Sequence, residues 1–561
     1  MPTVMVIKNK VPVLFVLSLA LCGCGGGGRK PPQPPVPPAP VEVQVAITST
    51  AVNAETGQGD LFRPTLGGTW TARNLGGAQV YLQVTDSGNT FVLPAVEAAP
   101  AGGGFSYALA LADRVDAGQR SGSLVVRACR DVACAQPYEG ASASLAYKLR
   151  VTAVPEWVTH QGNAAHDGYV PITLDPSRFA PAWSWTTPAP APGVESIVTS
   201  AGLVHAFATQ VVVLTSRAQY FLALDAASGI VQWRKDFSSI DERLRNSSTY
   251  IGPLSIAHGR LYHQAVYELG AFCQGAPPAV CFADNGSEVR SLAIADGLPL
   301  MNAHWRPFGT ARTAPVPYGE FVYVQGKKSL RAYHRDGGVH WEVANDAYAA
   351  PAVDEARVYA VTSTSESLLS AGNLQLHDRA TGALLASIAH PAVPGVSRGV
   401  APVLGGRGNV IVHVACLQDA RLSCQLASMD TATQAWTWTS TARYWSGVAV
   451  ANGVVYARRD ASPMVVDAID EATGRLLWSR PLTTGTIISG SLPNMIATRN
   501  LLFVGTDVGT YAMELDTGRI AYELPRALTM AISADRMLYL GQLDKNGSGE
   551  RIAGLVAVRL Q

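Results

Sequence analysis

The feature that most limits how this chain can fold is a turn motif recurring between residues 154 and 561. A strand ends in Asp, a tight turn closes on Gly, and an aromatic residue follows a few positions later. Clear copies run from Asp225 to Gly229 with Trp233, and from Asp470 to Gly474 with Trp478. Asp378 to Gly382 carries the same turn, and Asp430 to Gln434 leads into Trp438. Variants are His334 to Gly338 with Trp341, Asp296-Gly297 with Met301, and Glu514 to Gly518 with Tyr522. The turn positions 229, 297, 338, 382, 434, 474 and 518 are spaced by 68, 41, 44, 52, 40 and 44 residues. A period in the forties is that of a β-propeller blade.

A second series sets the blade count. Apolar hairpins of the form Pro/Ala-Val-x-x-Gly-x-x-Tyr begin near Val198, Gly252, Thr313, Ala350, Val400, Gly447, Gly490 and Leu528. These eight starts exceed the seven turns by one, because the chain ends on the strand Gly554 to Leu560. The missing outer strand is expected from Pro181-Ala182-Trp183-Ser184-Trp185, closing an eight-bladed ring with no long free sheet edge. Within each turn, Asp and Ser/Thr can cap backbone N–H groups, and Gly supplies a positive φ. The Trp is expected to pack between neighbouring blades. These roles are structural for Asp225, Gly229, Trp233, Trp341, Asp378, Gly382, Asp430, Trp438, Asp470, Gly474, Trp478 and Gly518.

Residues 41–153 read as a separate all-β module. Val41 to Ile47 alternates apolar and polar positions, and similar strand-like runs follow at Val80 to Val84, Phe105 to Leu109, Gly122 to Val126 and Ser144 to Val151. Short strands at this spacing predict a β-sandwich. The stretch from Leu124 through Cys129 and Cys134 to Val151 resembles the last two strands of bacterial immunoglobulin-like domains. Composition agrees with an all-β chain, since 48% hydrophobic content can bury a large core and only 15% is charged. A net charge of +1 without basic blocks excludes nucleic-acid binding driven by phosphate contacts.

Residues 1–23 read as an export signal: Lys8 and Lys10 precede the apolar run Val11 to Leu21. Leu21-Cys22-Gly23-Cys24 resembles the bacterial lipobox, with Cys24 as the acylated residue because a small Gly, and not the bulky Leu21, precedes it. Residue 25 is Gly where the inner-membrane retention signal has Asp, so the implied address is the outer membrane. Residues 24–40 then form a Gly- and Pro-rich tether. Six further cysteines fall into close pairs, Cys129/Cys134, Cys273/Cys281 and Cys416/Cys424, as disulfides of an oxidising compartment would. Each closes a short loop and contributes about 2–3 kcal/mol.

The motif Asp-x-x-Thr-Gly-x-x-x-Trp resembles the repeat of pyrroloquinoline-quinone-type (PQQ-like) propellers. The entry segment from Trp157 through Gln161-Gly162-Asn163 to Gly168-Tyr169 also resembles the first segment of that superfamily. Two of its families imply different chemistry. Quinoprotein alcohol dehydrogenases hold quinone and calcium on the propeller axis, with a disulfide of adjacent cysteines and an Asp base. Here no adjacent cysteines follow the signal, and no Glu/Asn/Asp calcium trio can be matched. The lipoprotein B subunit of the outer-membrane β-barrel assembly machinery is the other family, a cofactor-free periplasmic scaffold.

The expected protein is therefore a membrane-anchored, non-catalytic scaffold without cofactor or metal, binding envelope partners through propeller-face loops. The sandwich, the tether, two disulfides within the propeller and insertions at 234–251 and 267–288 depart from the B subunit. A quinone-dependent dehydrogenase and a glycan- or protein-binding surface module stay open as alternatives. Gly395-Val396-Ser397-Arg398-Gly399 matches a nucleophile elbow but precedes a propeller strand, and Asp544 to Gly549 lacks the Glu that a calcium loop needs at its twelfth position.

Overall fold

The computed structural model describes residues 39–560 apart from 61, 113–114, 187–192, 201, 214–215, 237–247, 269–285, 306–312, 327, 364–371, 393–394, 398, 417–422, 446, 483–493, 507, 528 and 546–550. Regular structure among them is almost entirely strand, with one 3-10 turn at Pro176–Arg178. No described helix is long and apolar enough to cross a membrane.

The N-terminal module is two facing sheets. One orders Glu42–Ile47, Thr65–Arg73 and Gly104–Ala108; the other orders Val52–Gly57, Pro137–Thr152, Gly118–Cys129, Tyr81–Asp86 and Glu97–Ala98. Alternate residues of both sheets meet in one core that includes Leu66, Phe105, Leu124, Val126, Tyr147 and Leu149. Buried side chains on one face and wet ones on the other are what period-two patterning dictates. Val52–Gly57 pairs in parallel with the end of Pro137–Thr152, so the long last strand joins both ends of the module. Cys129 and Cys134 are bonded across the turn that precedes Pro137.

From residue 180 onward the described strands form eight four-stranded antiparallel units, here called blades. Blades 1 to 7 span 193–236, 248–305, 316–344, 352–389, 403–444, 449–481 and 495–524. Blade 8 combines Thr529–Ile532, Met537–Lys545 and Arg551–Arg559 with Ala180–Thr186, whose residues pair antiparallel with 554–559. In blade 2 the inner strand is split into two pieces, and blades 5 and 6 share one extra pairing, Tyr444 with Arg459. Blades 7, 8 and 1 share a core containing Ile496, Phe503, Leu538, Leu555, Val194 and Ile197. That shared core joins the last blade to the first, and the ring closes.

The repeat motif supplies the contact between blades. Each indole lies over the turn glycine of the next blade and donates from Nε1 to a carbonyl there. Trp183 bonds Ala226 at 3.0 Å, Trp233 bonds Ile294 at 2.8 Å, and Trp341 bonds Arg379 at 3.1 Å. Trp438 bonds Glu471 at 2.8 Å and Trp478 bonds Leu515 at 2.9 Å. Gly229, Gly297, Gly382, Gly474 and Gly518 all hold φ between 65° and 73°, and a Cβ on any of them would lie 2.5–2.9 Å from the indole. In blade 3 the glycine with positive φ is Gly337, one residue before the Gly338 that spacing suggests, and Met301 covers it. Asp225, Asp378, Asp430 and Asp470 each accept the N–H and hydroxyl of the Ser or Thr three residues on, at 2.6–2.9 Å. Those bonds hold all four carboxyls below the usual Asp range.

Blades 4 and 5 meet differently. Gln434 occupies the turn at φ 57°, and Ala386 stands where a Trp would reach it. The indole comes instead from blade 5: Trp436 donates to the Ala389 carbonyl at 2.8 Å and meets the His390 ring edge-on.

Sandwich and propeller are joined by a buried carboxylate, which a reading of two separate modules does not anticipate. Asp60, 3% exposed, accepts from Arg499 Nη1 at 2.7 Å and Arg536 Nη2 at 2.9 Å, both propeller residues. It also accepts the backbone N–H of Gly57 at 2.7 Å and of Thr173 at 2.8 Å. Burial lowers the proton affinity of Arg536, and the Asp60 carboxylate opposes that effect.

Candidate functional site

The entry segment, residues 156–170, runs around the propeller axis and touches the blades in order. Its carbonyls accept inner-strand N–H groups: Trp157 from Thr199 at 2.9 Å, Val158 from Ile256 at 2.7 Å, and Ala164 from Val353 at 2.8 Å. Ala165 accepts from Leu404 at 2.9 Å, Asp167 from Val450 at 2.7 Å, and Gly168 from Ala497 at 2.8 Å. Thr159 Oγ1 donates to Pro315 of the blade 3 approach at 3.1 Å, and Glu156 Oε2 accepts the Ala534 N–H of blade 8 at 3.3 Å. So tight a path needs positive φ at Gln161 (61°), Gly162 (91°), His166 (58°) and Gly168 (65°). At Gly168 a Cβ would lie 2.8 Å from the Met495 carbonyl oxygen, so only glycine fits. This belt satisfies backbone groups that would otherwise be unpaired on the axis.

Against the belt lies an axial cavity of about 260 Å³. His160, Gln161 and His166 face it from the belt. Thr313, Tyr348, His413 and Asn494, with apolar positions such as Ala350, Val400 and Val448, contribute from the blades. Most of these residues sit just ahead of the innermost strands, so one end of the ring supplies the lining. Asn494 is spent on blade 8, exchanging two hydrogen bonds with Met530. Gln161 donates from Nε2 to Val448 at 3.0 Å, but its Oε1 is buried without a partner. Both ring nitrogens of His413, 2% exposed, are buried without a hydrogen bond of ordinary geometry.

Burial sets the electrostatics. Desolvation pushes His160 down to about 4, with the nearby His166 adding to the effect. It pushes His413 down to about 4 as well, against a small opposing pull from the Trp445 backbone. His166 has carbonyl oxygens 2.9 Å from each ring nitrogen, yet only an imidazolium could donate to both. Desolvation outweighs the two carbonyls and lowers its proton affinity. The cavity is thus lined by neutral imidazoles at physiological pH.

Sequence reasoning singled out the turn residues, and the structure places these around the ring between blades, away from this cavity. Cys416 and Cys424 are bonded across the loop that joins the blade 5 strands Asn409–Val414 and Cys424–Asp430, the first of which carries His413. Cys24, Cys273 and Cys281 lie outside the described residues. Ser397 of the apparent nucleophile elbow is buried, and the preceding Val396 bridges residues 372 and 414; no helix follows among the described residues. His160, Gln161, His166 and His413 were missed as a group, because only the fold brings positions 160 and 413 together.

A family model described as outer membrane protein assembly factor BamB matches residues 370–537. Quinohemoprotein alcohol dehydrogenase from Comamonas testosteroni superposes with a TM-score of 0.52 at 12% identity, covering 72% of this chain and 80% of that one. The quinohemoprotein alcohol dehydrogenase ADHIIG from Pseudomonas putida HK5 gives 0.50 at 13% identity with the same coverage. BamB from Moraxella catarrhalis gives 0.43 at 14% identity, covering 68% of this chain and 99% of that one. No curated protein sequence matches the chain.

The chain carries a PQQ-like β-propeller similar to BamB. The dehydrogenase likeness, at 12–13% identity, concerns the fold alone. A PQQ-like propeller raises the question of a quinone, and the described lining answers it through its donor set. Calcium on the axis needs carboxylate or carbonyl oxygens in number, and a polycarboxylate quinone needs cations. The described lining holds neither Asp, Glu, Lys nor Arg. Among described residues no three or more His, Cys, Asp or Glu side chains group as a metal site. The described residues do not fit quinone and calcium.

Proposed function

We propose that this PQQ-like propeller is a non-catalytic binding scaffold of the bacterial cell envelope. In this reading Cys24 anchors it by lipid in the outer membrane, the tether of residues 24–40 spaces it from the bilayer, and propeller-face loops engage envelope proteins during outer-membrane protein assembly. The observation that carries the reading is the match of residues 370–537 to the family model of an outer membrane protein assembly factor. The described axial lining, which holds no Asp, Glu, Lys or Arg, supports the non-catalytic half, because a quinoprotein site requires such groups.

Two experiments test it. Affinity capture from detergent-solubilised envelope should recover components of the β-barrel assembly machinery with the wild-type protein. Recovery of none of them, under conditions that retain a known assembly subunit, overturns the assembly role. Cys24→Ser should move the protein from the membrane to the soluble fraction while Cys22→Ser does not. Membrane association unchanged by Cys24→Ser overturns the anchor.

A further inference from the structure

On blade 3, three neighbouring strands bring one ring each together. His334 ends the third strand, Ser329–His334, and pairs in register with Phe321 of the second. His340 is the second residue of the fourth strand, Val339–Ala344, across a turn closed by the His334 N–H and the Gly338 carbonyl at 2.8 Å. Both imidazoles are exposed. The innermost strands start at the cavity end of the ring and successive strands of a blade alternate in direction, so this turn lies at the opposite end.

The two imidazoles stand at a spacing that one ion can bridge. Their ring centres are 5.0 Å apart, with the planes at 76°. Two imidazoles sharing an ion at about 2.1 Å from each nitrogen have centres roughly 4.5–5.2 Å apart, for angles from square-planar to tetrahedral. His340 is also held in place. Its ring stacks on Phe321 at 4.4 Å and 20°, and its Nε2 lies 2.7 Å from the Ala380 carbonyl oxygen in the turn of blade 4. A carbonyl oxygen only accepts, so the hydrogen of the neutral ring sits on Nε2 and Nδ1 keeps its lone pair. A backbone carbonyl on the other nitrogen is the support that metal-binding imidazoles ordinarily have. Phe321 borders His334 as well, at 5.0 Å.

The donors select the ion. Imidazole nitrogens suit copper, nickel and zinc, whereas calcium and magnesium need oxygen ligands. Asp336 of the same turn is engaged by the Gly338 N–H at 3.0 Å. With two protein ligands, water fills the remaining positions, and affinity comes from the second imidazole already standing beside the first. Among first-row divalent ions, copper(II) binds nitrogen sites most tightly.

We propose that His334 and His340 form a surface site for a late first-row divalent ion, copper(II) foremost. The site lies at the end of the ring away from the axial cavity and rests on neither the scaffold reading nor the lipid anchor.

The test is titration of the full mature chain, without an affinity tag, with copper(II) chloride at pH 7, followed by calorimetry and electron paramagnetic resonance. One ion should bind with a dissociation constant of about 10 μM or lower, and its spectrum should show coupling to two imidazole nitrogens. Zinc(II) should compete for the same site at higher concentration, and millimolar magnesium or calcium should not. His334→Ala and His340→Ala, both at exposed positions, should melt like the wild type and each weaken copper at least tenfold. His258→Ala removes an exposed histidine outside the pair and should leave copper affinity unchanged. If the two rings are only packed together, either variant binds copper like the wild type, and the proposal is overturned. Binding weaker than about 10 μM, a spectrum with a single imidazole nitrogen, or an equal loss in His258→Ala overturns it too.

Discussion

At the residue scale, one turn position shows how side chain and backbone were fitted together. Gly382 sits at φ 73°, and an added Cβ would lie 2.7 Å from Trp341 Cδ2. Gly382→Ala should therefore cost about 2 kcal/mol in denaturant unfolding, combining left-handed strain with displacement of the indole. Gln434 occupies the matching turn where the preceding blade has Ala386, so no indole is in the way. Gln434→Gly should be neutral or stabilising by about 0.5–1 kcal/mol, since it relieves only the strain. Equal losses at both sites would refute the packing account. The buried histidines make a second prediction. His160, His205 and His413 are held near 4 against 6.5 in the unfolded chain, mainly by desolvation. The folded state thus disfavours their protons. The stability tied to their neutral form is complete above pH 6.5 and is lost as pH falls from 6.5 towards 4. Asp167, raised to about 6 by burial, acts in the opposite direction and blunts the slope. Thermal unfolding across pH 7.5 to 4.5 should show the decline, and His413→Phe should make it shallower.

At the scale of elements, the repeat strands were legible because each carries its own signal: apolar alternation, a capped Asp turn, a glycine. The sandwich strands Val52–Gly57 and Thr65–Arg73 were not. The apolar stripe of the first is only Val52 and Ala54, too short to stand out, and Gly67-Gly68 reads as a turn although Phe105 packs against Gly68 where a Cβ would stand. The belt of 156–170 was recognisable as an entry segment, but its role was hidden, because it bonds largely through backbone carbonyls that any residue supplies. The axial site was illegible for a related reason: its polar residues come from sequence positions more than 250 apart. The Asp60 junction likewise depends on arginines over 400 residues away. Asp60→Ala would leave Arg536, 3% exposed, buried without its counter-charge, at a cost of about 3–5 kcal/mol. Deleting residues 41–153 instead returns both arginines to water, so the propeller should melt within about 4 °C of the intact protein. Calorimetry that finds the deletion more damaging to the propeller than Asp60→Ala would contradict this view of the junction.

At the scale of the whole molecule, the ring is held by a strand from its beginning and three from its end. Trp183 and Tyr539 of blade 8 both donate to the Ala226 carbonyl of blade 1, at 3.0 and 3.3 Å. Leu555, Ala557 and Leu560 are fully buried at this closure. Removing residues 554–561 should lower the melting temperature by about 10 °C or more and promote aggregation through the opened edge. A truncated protein that melts like the full chain would refute closure between the chain's two ends. The entry segment floors an axial cavity whose described lining holds no Asp, Glu, Lys or Arg, a donor set that does not fit quinone and calcium. The most direct measurement is equilibrium titration of the purified protein with pyrroloquinoline quinone and calcium, followed by absorbance and calorimetry. The account predicts no saturable binding and no quinone-dependent alcohol oxidation. Stoichiometric quinone uptake that requires calcium would contradict it.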